Sequence, residues 1–186
     1  MKTSIKAAAI ALALSFPALM LHGEQKDDST LLLSGFEEPI AGQWRSNHET
    51  IPAFTAESDP ERVKEGTTSG RWDATARSNP WLFLKETPRD WSGYDGLSFW
   101  LYAENANHQL INLNVTSGEG YYLHQIRVDW TGWKQIIVAL GEFKEPRKTN
   151  GWSEVSAFMI ALKGWGQEEP SEDTILFFDD LRLIKL

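Results

Sequence analysis

From residue 30 to the end, the chain is a succession of short runs in which apolar and polar side chains alternate, with Gly, Pro, Asn and Asp between them. A period of two marks strands with one buried face. Leu97, Phe99 and Leu101 fall on one side of their run and Ser98, Trp100 and Tyr102 on the other; Ile111, Leu113 and Val115 likewise oppose Asn112, Asn114 and Thr116. The pattern predicts strands over Thr30–Phe36, Gly70–Ala74, Trp81–Glu86, Gly96–Ala103, Leu110–Ser117, Tyr121–Asp129, Trp133–Ala139, Val155–Lys163 and Ile175–Leu183. Asp95-Gly96, Ser117-Gly118-Glu119-Gly120, Thr131-Gly132 and Asn150-Gly151 supply the reversals between them. Almost nothing has helical period, so the expected architecture is all-β: two antiparallel sheets packed face to face as a β-sandwich of the jelly-roll kind. The irregular stretch Glu37 to Ser69 is long enough for a functional loop or one more strand.

The start of the chain has a different pattern. Lys2 and Lys6 precede an apolar stretch from Ala7 to Leu21, about 15 residues and short of the ~20 that span a bilayer. Residues 1–23 therefore read as a cleavable signal peptide, 24–30 as a polar leader and 31–186 as one domain, secreted or periplasmic and with no stable membrane insertion after cleavage. Cleavage leaves 16 basic and 26 acidic residues, a net charge of −10.

The full chain of 186 residues is 41% hydrophobic and carries a net charge of −8, which disfavours nucleic acid as a partner. With no Cys, any metal must be held by oxygen or imidazole, and His22, His48, His108 and His124 make no metal-binding spacing. Nine Trp and four Tyr exceed what a core of this size needs, and several stand opposite the apolar side of their own strand. Saccharide rings want flat side chains to stack on and amides or charged groups for their hydroxyls. One face offers Trp100 and Tyr102 beside Asn112, Asn114 and Thr116, extended either by Tyr122 and His124 or by Tyr121, Gln125 and Arg127, with Lys163 bordering. Trp81 and Trp165 lie beside loops and are further stacking candidates, whereas Trp91, Trp130, Trp133 and Trp152 are expected to close the ends of the core.

Five segments carry a family likeness: Gly35-Phe36-Glu37-Glu38, Gly66-Thr67-Thr68-Ser69-Gly70-Arg71-Trp72-Asp73, Asp90-Trp91-Ser92-Gly93-Tyr94-Asp95-Gly96-Leu97-Ser98-Phe99-Trp100, Asp129-Trp130-Thr131-Gly132-Trp133-Lys134 and Leu176-Phe177-Phe178-Asp179-Asp180-Leu181-Arg182-Leu183. Together they resemble carbohydrate-binding modules of the galactose-binding-like jelly-roll superfamily. The resemblance implies a non-catalytic, monomeric protein that binds a polysaccharide or oligosaccharide. It also implies a structural calcium ion on Glu37, on the carbonyl region from Thr67 to Ser69, and on Asp179 or Asp180. Alternation along the last strand places Asp179 with Phe177, Leu181 and Leu183, where its charge most needs a partner.

Two other classes stay open. Glu57-Ser58-Asp59-Pro60-Glu61 matches the E-x-D-x-E spacing of jelly-roll glycoside hydrolases, but Ser58 and Pro60 fit a solvated turn better than a strand that aims three acids into a cleft. Tyr121, Tyr122, His124 and Arg127 hold the residue types of a small polysaccharide lyase, which needs a base beside a cation. An exported protein-interaction or assembly protein on the same fold is the third reading.

Overall fold

The computed structural model describes residues 29–46, 54–73, 81–164 and 170–186. Twelve strands run through them: β1 Thr30–Ser34, β2 Trp44–Ser46, β3 Phe54–Glu57, β4 Ser69–Asp73, β5 Trp81–Leu84, β6 Gly96–Ala103, β7 Leu110–Ser117, β8 Gly120–Arg127, β9 Gly132–Ala139, β10 Lys144–Arg147, β11 Val155–Ala161 and β12 Ile175–Ile184. The nine expected strands are all present, with ends displaced by at most two residues. A single helical turn, α1, covers Ile40–Gln43. No helix among the described residues is long and apolar enough to cross a membrane.

The strands form two six-stranded antiparallel sheets. Sheet I has the order β3-β4-β12-β6-β9, with β1 also paired to β12; sheet II has the order β10-β8-β7-β11-β5-β2. The inner faces meet in one core, to which Leu97, Phe99 and Leu101 of β6 and Ile111, Leu113 and Val115 of β7 contribute as alternation requires. At one end Phe36, Trp44 and Phe54 pack ring to ring, with centroids 5.7 to 6.1 Å apart. Gly70 must be glycine there, because a Cβ would lie 2.4 Å from the Phe54 ring and 2.7 Å from that of Phe36.

The last strand departs from simple alternation. Its pairing with β6 shifts between Asp179 and Arg182, and Asp180 sits at φ 51°, a left-handed conformation that Asp tolerates better than most residues. The bulge swaps the faces: Leu176, Phe178, Leu181 and Leu183 point into the core, while Phe177 and Asp179 point outward from sheet I. Asp179 therefore does not share a face with Leu181 and Leu183, contrary to the expectation from strict alternation.

Candidate functional site

The residues expected to form one ligand face are divided between the sheets. Trp100 and Tyr102 are outward residues of β6 in sheet I, whereas Asn112 and Asn114 are outward residues of β7 in sheet II. Alternation gives the side of a strand but not the sheet it joins, so the expected single face is in fact two faces on opposite sheets.

On sheet I the outward rings are covered. Trp133 and Phe177 flank Tyr102 with centroids 5.4 and 5.6 Å away, and the segment after β3 crosses over them. Arg62 lies 4.2 Å above Tyr102 while its guanidinium pairs with Glu104 at 2.9 Å; Lys64 Nζ lies 4.3 Å above Trp100; and Trp133 Nε1 donates to the carbonyl of Glu61. Trp133 thus belongs to this outer cluster instead of closing the core, while Trp91 is fully buried as expected. Two carboxylates pin the crossing segment. Asp179 Oδ2 accepts from the amides of Lys64 and Glu65 at 2.8 and 2.9 Å; Glu37 accepts from the amides of Thr67 and Thr68 and from the Thr67 hydroxyl. These bonds, led by that hydroxyl, hold the Glu37 carboxyl below its ordinary range. Asp179 moves the other way: burial outweighs its amide partners and pushes its carboxyl up to about 6.

The acids of Glu57 to Glu61 stay local. Glu57 accepts from the amides of Ser58 and Asp59, and Asp59 caps the short 3-10 turn Pro60–Arg62 through the amide of Glu61. They form a surface turn and converge on no cleft.

On sheet II no hydrogen bond or ring contact among the described residues carries a covering segment over the outer face as on sheet I. In-register pairing carries one outward row across all six strands: Arg45, Phe83, Met159, Asn114, Leu123 and Lys144. A parallel row holds Trp81, Ala161, Asn112 and Gln125, and Thr116 stands beside Tyr121. Trp81 and Phe83 meet edge to face at 4.4 Å, and the Arg45 guanidinium lies 4.9 Å over Phe83. Asn112 is buried and acts as a spacer, donating to the carbonyl of Ala161 and accepting from Gln125 at 2.9 Å. Asn114 is half-buried; its amide donates to the Asn112 carbonyl, and its own side-chain oxygen accepts no hydrogen bond from a described residue. Half-buried rings beside carboxamides, on a rigid sheet, are the geometry a saccharide needs.

Of the expected ligand residues, Trp81, Asn112, Asn114 and Arg127 lie on this face. Tyr122 and His124 point inward: Tyr122 stacks on Trp152 at 3.9 Å, and His124 packs on Phe143. The outward register of β8 is the other one, Tyr121, Gln125 and Arg127. It puts His124 and Tyr122 on the side opposite Arg127, and it leaves Tyr121 on the same side as Arg127 but six residues along the strand, about 20 Å away, too far to serve as base and cation on one sugar. Trp165 lies outside the described residues. Arg45, Phe83, Leu123, Met159, Lys144 and Arg147 were not anticipated on this face; Phe83 had a legible signal in the alternation Trp81-Leu82-Phe83-Leu84, and Leu123 in its place between Tyr121 and Gln125.

A family model described as carbohydrate binding domain (family 11) matches residues 38–167. The chain belongs to that family. Among solved structures, the family 11 carbohydrate-binding module of the cellulosomal cellulase Lic26A-Cel5E of Clostridium thermocellum superposes with a TM-score of 0.60 at 13% identity, covering 84% of this chain and 95% of that one. A Clostridium thermocellum family 11 module in complex with a β-1,3-1,4-mixed-linked tetrasaccharide gives 0.60 at 14% identity, with the same coverage. An exo-β-agarase matches with a TM-score of 0.62 at 13% identity over 83% of this chain, but over only 25% of its own length. At these identities the structural matches establish the jelly-roll fold. No curated protein matches the chain.

The acids named for calcium give a divided picture. Among the described residues, no three His, Cys, Asp or Glu side chains gather as a metal-binding group. Asp180 is taken by Arg182, whose guanidinium donates to its Oδ1. Asp179 Oδ1 is buried with no hydrogen-bond partner. That orphaned oxygen fits a hard cation, as does the neighbouring oxygen-rich segment from Thr67 to Ser69. Ser69 is itself buried, its hydroxyl donating to the carbonyl of Arg62.

Proposed function

We propose that the chain is an exported, monomeric, non-catalytic polysaccharide-binding protein that lays a glycan across the outer face of sheet II. The single observation that carries this reading is the outward row from Arg45 to Lys144, in which the half-buried Phe83 ring and Asn114 carboxamide lie on one face beside Trp81. Rings stack on the C–H faces of sugars; the Asn114 oxygen and the Gln125 amide exchange hydrogen bonds with hydroxyls. Family membership, and the tetrasaccharide bound by a Clostridium thermocellum module, support a glycan as the ligand.

Affinity electrophoresis through a panel of soluble polysaccharides tests the reading. At least one polymer should retard the protein. Trp81→Ala and Asn114→Ala should each weaken that retardation about tenfold, the loss of one good stacking or hydrogen-bonding contact. Unchanged retardation in both variants overturns the site. Release of reducing ends, or of unsaturated products absorbing in the ultraviolet, replaces binding with catalysis.

The same proposal includes one structural calcium ion. Asp179 would supply its unpartnered Oδ1, Glu37 a carboxylate, and the segment from Thr67 to Ser69 backbone carbonyls. A bound cation would neutralise the buried charge and tie both ends of the domain to the segment covering sheet I. Calcium should raise the melting temperature at pH 7 and do so less below pH 6, and Asp179→Asn should remove the response. A melting temperature indifferent to calcium and to EDTA overturns this part alone.

A further inference from the structure

Resting on the reading of sheet II as the glycan-binding face, we propose that its ligand is an acidic polysaccharide, bearing carboxylate or sulfate ester groups, and that a rim of unpaired cations selects it. Arg45 and Lys144 stand at the two ends of the six-strand row, a span of about 24 Å at the usual strand spacing. Arg147 lies opposite Tyr121, and Arg127 opposite Leu110, on the same side. All four are exposed. No outward in-register position on these described strands is Asp or Glu.

The contrast with sheet I gives the pattern its meaning. There Arg62, Arg71 and Arg182 each pair with a carboxylate: Glu104, Asp73 and Asp180. On sheet II, Arg45, Arg127, Lys144 and Arg147 have no carboxylate partner among the described residues. In a chain of net charge −8, the in-register outward positions of one face have thus gathered four cations, while the one acid of β10, Glu145, lies at the irregularity between Lys144 and Arg147 and is held by the Thr149 amide and hydroxyl. A neutral glycan can take hydrogen bonds from these groups but gains no charge attraction from them. An acidic chain meets a positive group at each end of its path, and guanidinium forks match the oxygens of carboxylate and sulfate. Two of the cations are already positioned, Arg45 by the Phe83 ring beneath it and Arg127 by donating to the carbonyl of His108 at 3.4 Å. Exposed pairs are individually weak, so selectivity arises from several acting along one polymer.

The test is calorimetric titration of the full chain with three probes: polygalacturonate, a sulfated galactan and a neutral mixed-linkage β-glucan, at 50 and 500 mM NaCl. One or both acidic polymers should bind at least tenfold more tightly than the glucan at low salt, and lose most of that advantage at high salt. Which acidic polymer binds identifies the anionic group. The double variant Lys144→Gln/Arg147→Gln, and Arg45→Gln alone, should lower acidic-polymer affinity at least fivefold. Lys185→Gln, beyond the end of β12 in the other sheet, should leave it unchanged. The inference is overturned if the glucan binds as tightly as the acidic polymers with no salt dependence, in which case sheet II remains a glycan face. It is equally overturned if Lys185→Gln weakens binding as much as the rim variants, since attraction is then unspecific. Failure of all three polymers to bind removes both this inference and the reading beneath it.

Discussion

Both sheets turn aromatic rings outward, yet their outer faces end up in different states. On sheet I, Tyr102, Trp133 and Phe177 lie beneath Arg62 and the segment that follows β3. On sheet II, Trp81, Phe83 and Tyr121 remain half-buried on the strands, with exposed Arg45 as the neighbour over Phe83. An outward ring in a strand is therefore not evidence of a ligand site by itself. What decides is whether the chain supplies a cover, and covering needs anchors: here Asp179 and Glu37 hold the amides of residues 64, 65, 67 and 68.

The largest expected effect sets one ring against the other. Phe177→Ala should cost about 3–4 kcal/mol in denaturant unfolding, as for other buried Phe, whereas Phe83→Ala should cost below about 1 kcal/mol and act on glycan affinity instead. Equal losses would break the comparison. Asp179 comes next. Its folded-state carboxyl is raised to about 6 from an ordinary value of 3.8, so its ionisation opposes folding. In calcium-depleted protein that opposition is absent below about pH 4, grows through pH 4 to 6, and is complete above, on the order of 2–3 kcal/mol. Unfolding measured across that range should show the loss in the native protein and not in Asp179→Asn. Arg62→Ala should then cost about 1–2 kcal/mol, from the lost Glu104 pair and ring cover, with glycan affinity unchanged. Gain of glycan binding in that variant would show that the cover hides a second site. The smallest effect is Glu37→Gln. Hydrogen bonds lower the Glu37 carboxyl in the fold, so its contribution is present above the ordinary Glu range and is lost as pH falls through the lowered folded value. Thermal melts at pH 7 should drop by about 1–2 °C, with the difference closing in acid.

The sandwich and nine of its strands were legible because most carry a period-two pattern bounded by turn residues. The three missed strands, Trp44–Ser46, Phe54–Glu57 and Lys144–Arg147, are all at sheet edges. Edge strands are short and polar, and the last contains Pro146, so none has a core-facing rhythm to read. The candidate site was half legible for a related reason. Alternation correctly separated Asn114 from Leu113 and Trp100 from Leu101, but no local pattern tells which sheet a strand joins, and Trp100 fell under the cover instead. Two cations of the sheet II rim come from missed edge strand β10, and a third, Arg45, from β2, so the charge asymmetry appears only once the strands are assembled. The bulge at Asp180 was equally silent, since Phe177, Asp179, Leu181 and Leu183 still alternate on paper.

The final strand bonds to β1, β4 and β6, with Gly70 of β4 and Leu101 of β6 on either side of Phe178. Half the sandwich is thus assembled around one ten-residue segment. Without those ten residues, sheet I has a gap down its middle and its two halves have no backbone partners in common. Deleting β12 should consequently leave a chain unable to close its sandwich, rather than a slightly smaller version of the same domain.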